Sequence, residues 1–234
     1  MMDDQPGATC PLCGGGDCCF RLERHGRRYW TCRDCDLLFL DRAQLPASAD
    51  ERRRYSLHDN SQRSSGYLAF LERLRRPVLD WLRQRWPEHV SAAGNRPRGL
   101  DYCCGPYPML AELMAETGFP VVAWDPYFSE RPRSSLVAEA PFDFILCCEV
   151  AEHFFRPREE FAFLIGLLAP GGLIAVMTAR HDAVDRLEAW HYLSDETHVS
   201  LFSRRSLDWL AGRLGLRLTL RAGDIAFLEL VEAG

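Results

Sequence analysis

The sequence predicts an α/β fold, a mostly parallel sheet with an antiparallel C-terminal edge, preceded by a small four-cysteine ribbon. Three observations predict it. From Arg98 onward strand-like and helix-like segments alternate, the pattern of βαβ units. The strand candidate Phe142 to Cys148 is apolar almost throughout, as in a parallel strand covered on both faces. Two C-x2-C pairs, Cys10/Cys13 and Cys32/Cys35, stand 18 residues apart near the N-terminus.

Taken in order, Phe20, Leu22, Tyr29 and Trp30 interleave with Arg and His at strand period between the cysteine pairs, which suits a β-ribbon. Residues 41–60 are polar and read as a linker or a loose helical arm. From Gly66 to Trp86, Leu68, Leu71, Leu74, Val78, Leu79 and Leu82 recur at helical spacing, with Pro77 expected to kink or restart the helix. Pro87, Gly94 and Pro97 mark a boundary. Strands are expected at Gly99–Cys103, Phe119–Trp124, Phe142–Cys148 and Leu173–Thr178, and helices at 108–117, 158–168 and 204–212. Leu216–Leu220 and Ala226–Val231 close the chain as a hairpin about Ala222-Gly223-Asp224. The expected organisation is a ribbon at 1–45, an arm and helix at 46–97, and the α/β domain at 98–234.

With 234 residues, 47% hydrophobic and 26% charged, the chain is of ordinary globular make-up. Neither a basic-then-apolar leader nor an apolar run of the ~20 residues needed to span a bilayer is visible, so a cytoplasmic protein without a membrane partner is expected. Six of the ten cysteines fall within the first 35 residues, a clustering that reads as metal binding. Four thiolates from two knuckles complete a tetrahedral zinc shell with no open position, which predicts a structural site. Cys18, Cys19 and His25 are possible substitutes that lack knuckle spacing. The net charge of −5 argues against a nucleic-acid partner.

Three constellations carry chemistry. Asp101-Tyr102-Cys103-Cys104-Gly105-Pro106 follows one strand and precedes a helix, where a small-residue turn admits a cofactor. The next strand ends at Asp125, placed to accept both hydroxyls of a ribose or to cap a helix. The strand at 142–148 delivers Glu149 and His153 to the carboxyl edge of the sheet, as acid/base candidates. The loop after the fifth strand adds Trp190, His191, Tyr192, Asp195, Glu196, Thr197 and His198, over the expected substrate side. Tyr55 to Asn60 is a weaker candidate to reach the pocket from the arm.

Asp101 to Gly105, Asp125, the E-V-x-E-H ending at His153 and Pro170-Gly171-Gly172 resemble the successive motifs of class I S-adenosylmethionine (SAM)-dependent methyltransferases over residues 66–234. With the cysteine pairs, the chain is similar to bacterial zinc-ribbon methyltransferases, a grouping that includes sugar C-methyltransferases. The resemblance implies a Rossmann-like seven-stranded sheet, structural Zn2+ on Cys10, Cys13, Cys32 and Cys35, and SAM over the 103–107 turn with its ribose on Asp125. It implies cofactor contacts at Asp101, Cys103, Gly105 and Glu149, catalysis by His153, Glu149 or His198, and substrate contacts at Tyr192, His191 and Asp195. Two departures stand out. Cys103 and Tyr107 occupy the places of the family's first and third glycines, so Tyr107 is expected to crowd the cofactor or be forced to positive φ. Only 16 residues separate Asp125 from Phe142, which predicts a reduced third strand.

The resulting functional expectation is methyl transfer from SAM to a small or carrier-linked molecule by alignment and general-base catalysis. Two alternatives follow from the same residues. One is a methyltransferase-like binding module with a degenerate cofactor turn. The other is an RNA methyltransferase whose ribbon grips RNA through Arg21, Arg24, Arg27, Arg28, Arg33, Tyr29 and Trp30.

Overall fold

In the computed structural model, residues 8–57, 63–87, 96–221 and 223–231 are described. His58 to Asn60 of the arm, the Gly94 boundary and Ala222 of the last turn lie outside them. Strands β1 (Cys18–Arg24) and β2 (Arg27–Cys32) pair antiparallel. Their two-residue turn places His25 and Gly26 at φ 52° and 74°, the double positive-φ geometry that matches strand twist in tight hairpins. β3 (Leu38–Leu40) adds to β2.

Helix α1 (Ser48–Ser56) forms within the segment read as a linker. α2 (Ser65–Arg85) starts at Ser64, whose hydroxyl accepts from the Tyr67 amide, and buries Leu71, Leu74, Val78, Leu79 and Leu82 along one face. Pro77 lies inside this helix without ending it, so no second helix starts there.

The alternating half supplies β4 (Gly99–Tyr102), α3 (Met109–Glu116), β5 (Val121–Trp124), α4 (Ser135–Glu139), β6 (Phe142–Cys148), α5 (Pro157–Gly166) and β7 (Leu168–Met177). β7 is longer than its sequence signal, because pairing with β6 runs past Pro170-Gly171-Gly172 through a register shift. β8 (Ser200–Leu201), α6 (Arg204–Leu214), β9 (Leu216–Leu220) and β10 (Ile225–Leu230) follow. Six strands form the main sheet, ordered β5-β4-β6-β7-β10-β9. The first four are parallel, and β10 and β9 complete it antiparallel. This is the Rossmann-like arrangement with the third strand missing. Between β5 and β6 stands only the short α4, so the seven-stranded expectation is corrected to six among the described residues.

Period-two alternation decides which face each strand residue covers. Phe144 and Leu146 of β6 pack with α2 and α3, while Ile145 and Cys147 pack with α5 and α6. The ribbon is tied to this body. β3 pairs with β8 from the long loop after β7, making a four-stranded sheet β1-β2-β3-β8. Leu12, Trp30, Leu37 and Phe39 join the core on the α5–α6 side.

Candidate functional site

The chain leaves β4 for β5 on one side and returns to β6 on the other, so β4 and β6 part at their carboxyl ends. Open α/β sheets bind ligands at this kind of switch point. A cavity of about 930 Å³ lies there. Asp101, Cys103, Gly105 and Asp125 line one part of it, and Glu149, His153, His191, Tyr192, Asp195 and His198 another. The cavity thus gathers these ten sequence candidates, whereas Trp190, Glu196 and Thr197 of the same loop are not among its lining residues.

On the β4–β5 side, the Asp125 carboxylate caps two turns. Its Oδ2 accepts the Gly105 amide at 2.8 Å, and its Oδ1 accepts the amides of Tyr127 and Phe128 at 2.8 and 3.2 Å. Asp125 therefore caps a turn rather than a helix, and its residue lines the cavity. Asp101 is 3% exposed. Burial pushes its carboxyl up to about 7; the Ala111 amide opposes this, and the nearby Asp125 reinforces it. No ion pair of Asp101 occurs among the described residues. It is a buried acid without a counter-charge.

The turn resolves the two missing glycines differently. Cys103 adopts φ +58°, a left-handed conformation that glycine takes freely. Tyr107 is not among the residues at positive φ and is 44% exposed at the cavity rim. The backbone strain expected of Tyr107 therefore falls on Cys103. Replacing Cys103 by valine, whose branched Cβ tolerates this conformation least, is expected to lower unfolding stability by about 1–3 kcal/mol. Cys103→Gly, freed of that strain, is expected to stay within about 1 kcal/mol of wild type. Urea denaturation of the two variants checks this.

On the β6–β7 side sits a network whose centre the sequence did not single out. Glu149 leaves β6 at φ +53°, and the following 3-10 turn, Ala151–His153, swings Glu152 inward until it is fully buried. The Tyr192 hydroxyl donates to Glu152 and, at 3.2 Å, lies against Glu149; Thr178 donates to Glu152 at 2.8 Å. Burial, and after it the charge of Glu152, pushes Glu149 up to about 8. Burial likewise pushes His198 down to about 4. Burial works against the charge of Asp195, but the Thr197 hydroxyl and amide, His198 and the Arg54 guanidinium together hold its carboxyl far below the usual range.

α1 forms a further wall. Glu51 is buried and accepts hydrogen bonds from Tyr55 at 3.2 Å and Tyr127 at 2.7 Å, and Arg54 pairs with Asp195 at 2.7 Å. Tyr55, a candidate to reach the pocket from the arm, lies on this wall, and its one-turn spacing from Glu51 is the further sequence signal for the helix. The ribbon braces the opposite loop. Arg27 donates to the carbonyls of Asp195, Glu196 and His198 at 2.7, 2.7 and 3.1 Å.

At the other end of the molecule, one sulfur from each of Cys10, Cys13, Cys32 and Cys35 lies within 4.8 Å of the other three. The Gly15 amide donates to Cys13 Sγ at 3.2 Å. Cys18 and Cys19 turn to the carbonyls of Gly15 and Thr31, outside the quartet.

A family model described as a methyltransferase domain matches residues 67–220. The chain belongs to that family. No curated protein matches it. Among solved structures, the chain resembles an O-methyltransferase family protein from Burkholderia thailandensis with TM-score 0.54 and 18% identity, over 82% of this chain and 66% of that one. The chain thus spans just under two thirds of that relative. A SAM-dependent methyltransferase from Archaeoglobus fulgidus aligns at 20% identity over 64% of this chain and 74% of that one, with TM-score 0.43. The plantazolicin methyltransferase BpumL, solved with SAH, aligns at 12% identity over 79% and 92%, with TM-score 0.49. At these identities the likeness is one of fold.

Proposed function

We propose that the protein transfers a methyl group from SAM to a small or carrier-linked acceptor in this cavity. The observation that carries the reading is Asp101, a buried carboxyl without a cationic partner. It stands beside the Gly105 turn and Asp125, in a cavity large enough for cofactor and acceptor together. The SAM ammonium supplies the counter-charge that Asp101 lacks, and Asp125 Oδ2 has room to accept from the ribose. Bound SAM supplies an activated methyl on a good leaving group. The protein's own residues then have two tasks, to hold the acceptor in line and to take its proton. His153 and His198 each donate Nδ1–H to a backbone carbonyl, of Thr197 at 3.0 Å and Tyr192 at 2.7 Å, so Nε2 is the nitrogen of each ring left to act as the base. Tyr192, His191 and Asp195 contact the acceptor, and Glu149 orients it. Residues of α1, the 190–198 loop and the carboxyl end of β6 line the space where the acceptor would lie.

We further propose that Cys10, Cys13, Cys32 and Cys35 hold a structural Zn2+ and that residues 1–45 form the ribbon around it. Four sulfurs at this spacing match a closed tetrahedral site. The RNA alternative loses the stacking residues it relied on. Tyr29 and Trp30 are buried, and Arg27, Arg28 and Arg33 are engaged within the chain.

The cofactor reading has a pH signature. Asp101 is pushed up to about 7, so it carries its charge above that pH and loses it below. SAM affinity is therefore expected to rise about tenfold from pH 6 to pH 8. In Asp101→Asn, binding is expected to be weaker and flat over the same range. Titration calorimetry with SAM at both pH values tests this, and absence of binding at millimolar SAM overturns the function.

A further inference from the structure

The acceptor side of the cavity contains more donor atoms than a lone general base requires. Glu152 is fully buried, and the side-chain partners it has among the described residues are the neutral hydroxyls of Thr178 and Tyr192. A buried carboxylate in proteins is paired with a cation or coordinates a metal; no described Arg or His forms an ion pair with this one. One donor atom from each of Glu152, His153 and His198 lies within 4.8 Å of the other two. The two imidazole rings are 4.8 Å apart between centroids.

The tautomers are decided by their partners. A carbonyl can only accept, so Thr197 O and Tyr192 O place the hydrogens on Nδ1 of His153 and His198. Each ring keeps a lone pair on Nε2, and no described residue donates to either. His198 is only 8% exposed, so bulk water does little for it. Anchoring the second ring nitrogen on a backbone carbonyl is how proteins orient ligating histidines. A divalent cation held by these three residues gives Glu152 the counter-charge it lacks.

We propose that Glu152, His153 and His198 bind one divalent ion of the Mn2+, Fe2+, Co2+ or Zn2+ class on the inner wall of the cavity. Two imidazoles and a carboxylate suit such ions and leave coordination positions open, in contrast to the closed four-cysteine site. Glu149, which shares the Tyr192 hydroxyl with Glu152, adds a second carboxylate at the same wall. His153 and His198 line the cavity, so an oxygen of the acceptor is the natural further ligand. That role rests on the cofactor reading; the binding of the ion does not. With the ion present, the two imidazoles act as ligands rather than as the base.

The test is Mn2+ titration of the full chain with its zinc retained, followed by the loss of the free-ion EPR signal. Manganese does not displace zinc from four thiolates. The expected result is saturable binding of one equivalent, weakened at least about a hundredfold in His153→Gln and in Glu152→Gln. Zinc found beyond one per chain before titration, and missing from His153→Gln, counts equally in favour. Circular dichroism and thermal unfolding check both variants; if Glu152→Gln does not fold, the partly exposed His153 decides alone. No saturable Mn2+ binding up to millimolar without extra zinc, or binding unchanged in the variants, overturns the proposal. SAM affinity measured before manganese is added reports on the cofactor reading separately.

Discussion

Zinc removal is expected to dissolve the β1–β3 sheet and to loosen the loop over the cavity with it. Four-cysteine sites in small modules supply most of the folding energy, on the order of 10 kcal/mol or more in isolated zinc fingers. Here strands of seven, six and three residues bury too little to stand alone. The consequence reaches further than the ribbon. β3 is the partner of β8, and Arg27 holds the carbonyls of Asp195, Glu196 and His198. Hydrogen exchange after chelation, with zinc release quantified, is expected to show lost amide protection over residues 18–40 and 195–201. β4, β6 and β7 should keep theirs. Protection that survives complete zinc release contradicts the structural role.

Asp125→Ala is expected to weaken SAM binding about a hundredfold. A ribose hydrogen bond to the carboxylate contributes about 1.5–3 kcal/mol, and each 1.4 kcal/mol is tenfold. The same change removes the acceptor for the amides of Gly105, Tyr127 and Phe128, so the cofactor turn loses its brace as well. Asp125→Asn retains one acceptor oxygen and is expected to fall between. Calorimetry with SAM reads all three proteins, and unchanged affinity in Asp125→Ala places the ribose elsewhere.

What the sequence revealed and concealed follows from the range of each interaction. The cysteine knuckles and the apolar run Phe142 to Cys148 are local patterns, and both were legible at the residue level. The short gap after Asp125 was enough to expect the missing third strand, because sixteen residues cannot hold a helix, a strand and a second helix. The β3–β8 pair was not legible. Ser200–Leu201 is two residues long, too short for periodicity, and its partner lies more than 150 residues away. α1 is legible only as a linker or a loose helical arm, because its surface is charged almost all round and its packing is polar, through Glu51 to Tyr127. Glu152 was overlooked for a geometric reason. Helical spacing groups Glu149 with His153, whereas the strand actually ends in a positive-φ residue and a 3-10 turn that points Glu152 into the core. Tyr107 was suspected of strain that Cys103 bears, since a missing glycine does not tell which position needs φ > 0.

The measurement that bears most directly on the methyltransferase reading is a crystal structure of the protein grown with S-adenosylhomocysteine. The ligand is expected in the cavity between β4 and β6, with its ribose on Asp125 and its ammonium on Asp101. An empty cavity at millimolar ligand, or a ligand bound away from these two carboxylates, contradicts it.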